Sequence, residues 1–305
     1  MKNGSAAKGR SSWSSKLVNP VLDKEFRLRM RTPRSMWALF FYVGAMGAAA
    51  LAFIYLMTEI NRHGPSAFNP EESRTMFIFI SFAQMGLIAF MAPGLTAGVI
   101  SGEREKQTLN LLLTTQQSSA TIILSKLVSS LAFMILIVLA TMPVYSIVFL
   151  YGGISPWQLL GLFLFFVFVM FVLGAFGLLF STLFKRTMLA VIATYGVTLF
   201  LFIGTALMFL FLNGVLQELY RNVPSTGAPP YRWIGHLLAL NPAAAMYSIL
   251  EPSLTRQAFF VSGMQGNARA SMTLWQEFIL IYSIVTSLLI GLSIRYLRPR
   301  LKRRT

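Results

Sequence analysis

The sequence predicts an all-α, polytopic membrane protein with six transmembrane helices. Three observations carry this. Of the 305 residues, 55% are hydrophobic and only 12% charged, with mean hydropathy +0.64, whereas a soluble domain carries about 25% charged residues. The apolar residues fall in long runs without a charge, as in a chain whose solvent is lipid. The net charge of +16 is sorted to one side of those runs. The chain has no cysteine, which excludes a disulfide framework, a thiolate metal site and a cysteine nucleophile, and leaves the redox compartment open.

The uncharged runs are Ser35 to Thr58, Thr75 to Gly102, Leu127 to Phe184, Thr187 to Gln217 and Phe278 to Ile294. A helix rises about 1.5 Å per residue and needs about 20 apolar residues to cross the hydrocarbon core. The third run is double length and is split by the turn-forming Gly152, Gly153 and Pro156, so it supplies two spans and each other run one. The last run is the shortest, and Arg295 can extend it by reaching toward the headgroups. The transmembrane domain is therefore 35–295.

Orientation follows from Lys and Arg. With the N-terminus inside, inner segments hold 20 of the 26 basic residues and outer segments the other six. Four acidic residues fall inside, Asp23, Glu25, Glu103 and Glu105, and six outside. The inner surface then carries the whole +16 and the outer surface is neutral. A nucleic-acid partner has nothing left to explain. The expected location is the cell membrane, multi-pass, with both termini cytoplasmic. Trp37 at the inner boundary and Trp157 and Trp275 at the outer one agree with this placement, as would chance. A cleaved signal peptide ending near Ala48 to Ala50 competes for the first run, but such peptides have short leaders and this one extends to Arg34.

Residues 1–18 form a basic leader with little to bury and are expected to be disordered. Asn19 and Pro20 start a helix and Pro33 stops it, giving an interfacial element over 19–33. Leu22, Phe26 and Met30 share one face, with Lys24, Arg27 and Arg31 opposite. Leu28 and Arg29 break the pattern, and a plain basic tether is the alternative. Residues 296–305 form a basic tail.

Between the second and third spans, residues 103–126 are the most informative. Glu103, Arg104, Glu105 and Lys106 form a mixed-charge cluster at the inner end of the second span. Thr108 can cap a short helix whose Leu109, Leu112 and Leu113 share one face. Ser119 can cap the third span. An apolar face displayed in cytoplasm needs a partner; a solvated loop on the headgroups is the alternative.

At these residues the chain resembles the ABC-2 type permeases, membrane subunits of ATP-binding cassette exporters. Glu103, Glu105, Thr108, Leu109, Leu111, Leu112, Leu113 and Lys126 match the family's pattern of paired glutamates, Thr-Leu, a leucine cluster and a later lysine. Asn19-Pro20-Val21-Leu22 resembles its interfacial helix, and Leu240-Asn241-Pro242 a motif before its last span. Gln107 stands where glycine is common, and Gln116 and Gln117 where proline often follows. The resemblance implies that 103–113 is a cytoplasmic coupling helix docked on a separate ATPase subunit, which binds ATP and Mg. It also implies a second permease copy, or a related permease, with the path between the halves and lipid around them.

The chain itself has no Gly-Lys dipeptide and hence no phosphate-binding P-loop, so it is not expected to be an enzyme or to hold a cofactor. The spans lack ionisable residues, which disfavours an ion-coupled carrier. Asp23 is the sole Asp, and His63 and His236 have no metal-ligand spacing, which disfavours a membrane enzyme. A scaffold or sensor of the same fold is the remaining alternative to a permease. Pro93 with Gly94, and Pro143, interrupt backbone hydrogen bonding, as hinges or as static packing features. The Phe-rich fourth span is expected to face lipid or to pack as apolar surface. Residues 218–277 are too many for a bare loop; Gly214 to Arg221 and Trp233 to Leu250 look helical and partly apolar, and the resemblance implies short outer helices, one dipping back toward the membrane, with a small packed cap as the alternative.

Overall fold

In a computed structural model of the protein, the residues described are 33–60, 70–109, 118–150, 154–220, 233–259 and 272–297. Among them every regular element is helical. The first span is α1 (Pro33–Ile60). The second is α2 (Pro70–Thr96), followed after one irregular turn by α3 (Ser101–Glu105). The third is α4 (Ser119–Leu139) with α5 (Met142–Leu150), and the fourth is α6 (Pro156–Leu183). The fifth comprises α7 (Thr187–Leu199), a π turn (Phe200–Gly204) and α8 (Thr205–Tyr220). Three short helices follow, α9 (Gly235–Ala239), α10 (Pro242–Leu250) and α11 (Ser253–Phe259), before the sixth span, α12 (Leu274–Leu297). Six of these stretches are long and apolar enough to cross a membrane. The end of the bundle holding α3 is called the motif end, and the end holding α9–α11 the cap end.

Helix starts follow local chemistry. Ser155 caps α6 with a reciprocal Ser155–Gln158 capping box, and Pro156 takes the first turn, where its missing N–H costs nothing. The cap of α4 is Ser118, which accepts from the Thr121 N–H, one residue earlier than the expected Ser119. Pro33, read as a stop, instead opens α1, the position where its fixed φ suits a helix. The interfacial residues Leu22, Lys24, Phe26, Arg27, Met30 and Arg31 lie outside the described residues.

At the centre is α6, in contact with α2, α4, α7, α10 and α12. Its Phe-rich half is mainly packed surface, as one of the two expectations had it: Leu162, Phe163, Phe165, Phe166, Val169 and Met170 are buried while Leu160 and Leu164 are exposed, and Phe165 packs on Phe278 at 5.3 Å between ring centroids. A helix apolar on all sides is what a core position requires. Its other half meets α2 through small residues. A Cβ on Gly177 would lie 2.0 Å from Thr96 Oγ1 and 2.9 Å from Thr96 Cβ, so only glycine allows this approach. Gly177→Ala is expected to cost about 1–3 kcal/mol by overpacking, read as a lowered melting temperature in detergent. Thr96→Ala should restore part of the loss, because it removes the nearer atom and leaves the other.

Both proline sites are structurally marked. Pro93 sits inside α2, and near it the Tyr195 hydroxyl donates to the Phe90 carbonyl at 2.8 Å. Gly94 lies against the same Tyr195 hydroxyl. The third span breaks at Ala140–Thr141, just before Pro143, which has no N–H for the Leu139 carbonyl. The Thr141 hydroxyl donates to the Val138 carbonyl at 2.6 Å within this break.

The cap end differs from expectation in two respects. Residues 214–220 are no separate helix but continue the fifth span to Tyr220. The stretch Trp233 to Leu250 is two helices, broken where Asn241 caps α10 by accepting from the Ala243 and Ala244 N–H groups. The Asn241 side-chain amide donates to the Phe202 carbonyl at 2.7 Å and to Thr205 Oγ1 at 3.0 Å. Phe202 lies 15 positions beyond Thr187 and 18 before Tyr220, so α10 begins beside the middle of the fifth span. Ala245, Met246 and Leu250 join the same apolar cluster as the spans, so α10 packs into the bundle. Arg74, at the start of α2, closes it by donating to the Leu250 carbonyl at 3.0 Å and pairing with Glu251 at 2.6 Å.

Candidate functional site

Residues Ile100 to Leu109 fold as one turn of helix with a defined stop. Leaving α2, the chain needs partners for the N–H groups that open α3. Ser181 of α6 supplies them: its hydroxyl oxygen accepts from the Ile100 N–H at 2.8 Å and the Ser101 N–H at 2.9 Å. At the other end Gln107 adopts φ 59°, in the left-handed region. The Thr108 N–H then reaches the Glu103 carbonyl and the Gln107 N–H the Arg104 carbonyl, at 3.0 and 3.1 Å. This pair of bonds is a Schellman stop, and it explains why glycine would suit position 107. Gln107→Gly is expected to leave the melting temperature unchanged or raise it, with a gain of at most about 1 kcal/mol. Gln107→Val, β-branched in a left-handed site, should lower it.

Three of the four charged side chains of the cluster, Glu103, Arg104 and Glu105, are each committed to a different span. Glu103 faces Lys126 of α4 at 3.3 Å, and the Thr108 hydroxyl lies against the same carboxylate. Lys126 is buried, its side chain 6% exposed. Arg104 donates to the Thr182 and Phe184 carbonyls, both at 3.2 Å, and so satisfies the end of α6. Glu105 accepts from the Thr187 N–H at 2.7 Å and from its hydroxyl at 2.8 Å. Arg186, the residue before α7, makes no side-chain cap, so Glu105 serves as that cap from another helix. A carboxylate at a helix N-terminus is favoured by the helix dipole as well. Lys106 is exposed and caps α3 through its backbone.

Leu109 is buried, 8% exposed, and belongs to the apolar cluster of its own spans. Its side chain is thus covered within the chain and is not displayed for a partner groove. Leu112 and Leu113 lie outside the described residues, as does the helix that Thr108 was expected to cap. The motif therefore joins four spans at one end of the bundle: second, third, fourth and fifth.

Residues matched by the profile of the ABC-2 family transporter proteins run from 20 to 300. The chain belongs to this family. It is a multi-pass membrane permease of the ABC type. No curated protein matches the chain.

Sequence reasoning on this permease placed Glu103, Arg104, Glu105 and Lys106 at one site but missed Thr187, Ser181 and the carbonyls of Thr182 and Phe184. A signal existed for two of them. Thr187 follows the charged Lys185 and Arg186 and opens an apolar run, so its N–H needs a partner. Gly174, Gly177 and Ser181 are small residues spaced by three and four, which marks a helix face in close contact.

Proposed function

We propose that this chain is the permease half of an ATP-binding cassette exporter, coupled through residues 103–113 to a separate ATPase subunit that binds ATP and Mg. In this reading the motif end is cytoplasmic, with both termini on that side. Two halves, identical or related, enclose the translocation path, and the mainly apolar spans favour a lipid, an amphipathic peptide or a hydrophobic drug as cargo. Pro93, Gly94 and Pro143 are the places where the spans can bend. The observation that carries the reading is the motif itself: Glu103, Arg104 and Glu105 gather four spans at the basic end, where a push on one short segment reaches all of them. Docking is assigned to the exposed Lys106 and to Leu112 and Leu113.

The test isolates a tagged full-length chain from its native membrane and measures Mg-dependent ATP hydrolysis in the eluate. The expected result is a co-isolated ATPase subunit that is lost with Leu112→Asp/Leu113→Asp while the permease keeps its expression and melting temperature. A chain that purifies intact with no nucleotide hydrolysis, or a double variant that keeps full ATPase binding, would overturn the proposal.

A further inference from the structure

We infer that the fifth span is a connecting rod between the motif end and the cap-end helices α9–α11, with Asn241 as its distal latch. The inference rests on the proposed coupling to an ATPase and goes further, because it names the route by which motion leaves the coupling segment. Three independent features support it.

The first is how narrow the buried surface of the fifth span is. Its buried residues over the π turn and the helices beside it are Ala190, Thr194, Thr198, Leu201 and Thr205, a single narrow stripe. The threonine hydroxyls of this stripe donate to their own helix, Thr194 to Ala190, Thr198 to Thr194 and Thr205 to Leu201 carbonyls at 2.6 to 2.9 Å. The Thr194 and Thr198 hydroxyls hold their own helix, while Thr205 Oγ1 also accepts from the Asn241 amide. Small side chains allow close helix contact and leave few protrusions to block a small shift along the stripe. The opposite face is broadly apolar and exposed, with Met188, Ile192, Phe200, Leu207 and Phe211.

The second feature is that polar contacts tie this span to other helices at both working points, with the Tyr195 hydroxyl donating to the Phe90 carbonyl of α2 between them. At the motif end Glu105 grips the N–H and hydroxyl of Thr187, and Thr187 packs close to Gly98 of the turn between α2 and α3. Halfway along, the Asn241 amide takes the Phe202 carbonyl and Thr205 Oγ1. The distance between these points is about 22 Å at 1.5 Å per residue.

The third is the π turn. The Thr205 N–H bonds to the Phe200 carbonyl five residues back, so the wider turn disturbs the regular ladder and leaves carbonyls to be satisfied from outside. Asn241 supplies one such donor. Gly204 allows the Phe200 ring to fold over the turn, since a Cβ there would lie 2.7 Å from that ring. A π turn can relax toward α geometry by shifting one residue, which moves everything beyond it by a fraction of a turn. Helices α9–α11, tied to the turn by Asn241, must follow or let go.

Asn241 is thus a positioning residue with two separable jobs. Its carbonyl oxygen caps α10 and its amide nitrogen latches the π turn. Asn241→Ser separates them, because serine caps well but has no donor that reaches the Phe202 carbonyl while it caps. Thr205→Val approaches the latch from the other side without touching the cap.

The experiment follows backbone hydrogen exchange over 233–259 in the full complex isolated from native membranes, with and without Mg-ATP plus vanadate. In the wild type, trapping nucleotide should change exchange in this segment by at least about threefold. In Asn241→Ser that response should disappear, while basal protection of the capped α10 amides and ATP hydrolysis stay within about twofold. Thr205→Val should behave the same way, and it decides the matter where Asn241→Ser fails to accumulate. A nucleotide response that survives both substitutions would overturn the rod. So would a hydrolysing wild-type complex in which 233–259 does not respond, and that result would leave ATPase coupling intact. Absence of any ATPase from the complex would overturn the coupling and the rod together. A purely structural Asn241 would instead raise exchange equally in both nucleotide states, which also counts against it.

Discussion

Replacing Glu103 by Gln lowers the melting temperature of the purified permease, and adding Lys126→Met recovers most of the loss. The wild-type carboxylate faces a Lys126 ammonium whose side chain is 6% exposed. Removing one member of a buried pair typically costs about 3–5 kcal/mol, because the other charge keeps its desolvation penalty and loses its counter-charge. Glu103 is itself 35% exposed, so water screens part of the interaction and about 2–3 kcal/mol is the fitting expectation. Methionine matches the stem of lysine in volume and carries no charge, which is why the double variant should approach wild type. The measurement is thermal melting of all four members of the cycle in one detergent. Equal melting temperatures for the wild type and Glu103→Gln would mean that the pair contributes nothing.

How much of this was legible follows from the chemistry of each element. The six spans could be read because uninterrupted apolar length has no other use, and the breaks near Pro143 and Pro156 could be read because proline lacks an N–H. Burial within the spans could not. Lipid is as apolar as a protein core, so Phe163 and Phe165, buried in α6, look in sequence no different from Phe200 and Phe211, which are exposed. The π turn was equally silent, since Phe-Leu-Phe-Ile-Gly carries no mark that separates it from α-helix. Asn241 was visible as part of a motif, and its cap could be inferred from the proline that follows. Its grip on Phe202 could not, because that contact spans 39 positions.

The charged cluster shows the same division. Its place at a helix end was written in the alternation of Glu, Arg, Glu and Lys. Its wiring was not: Arg104 and Glu105 reach residues about 80 positions away, and they do so to satisfy backbone groups at the junction of α6 and α7. These charges are thus occupied within the chain, as staples between spans. In the proposed reading the charged half staples the spans together, and docking falls to the exposed Lys106 and to Leu112 and Leu113. If the proposed coupling holds, the two halves of the motif are expected to fail in different ways when mutated.

Leu109→Asp is the variant that exposes that difference. Leu109 is 8% exposed within the apolar cluster of the spans. Burying a carboxylate there, with no partner built for it, is expected to cost at least about 3 kcal/mol, comparable with the loss of a whole core leucine. The permease should then show reduced expression and a lower melting temperature even in the absence of any ATPase. Leu109→Met, of similar volume, should remain within about 1.5 kcal/mol of wild type and keep ATPase binding. Leu112→Asp/Leu113→Asp should instead keep stability and lose binding. The comparison needs thermal melting of each purified permease beside quantitative co-isolation of the ATPase. If Leu109→Asp were as stable as wild type and lost only the ATPase, Leu109 would have to leave its core in the assembled complex, and the motif would be displaying all three leucines to its partner after all.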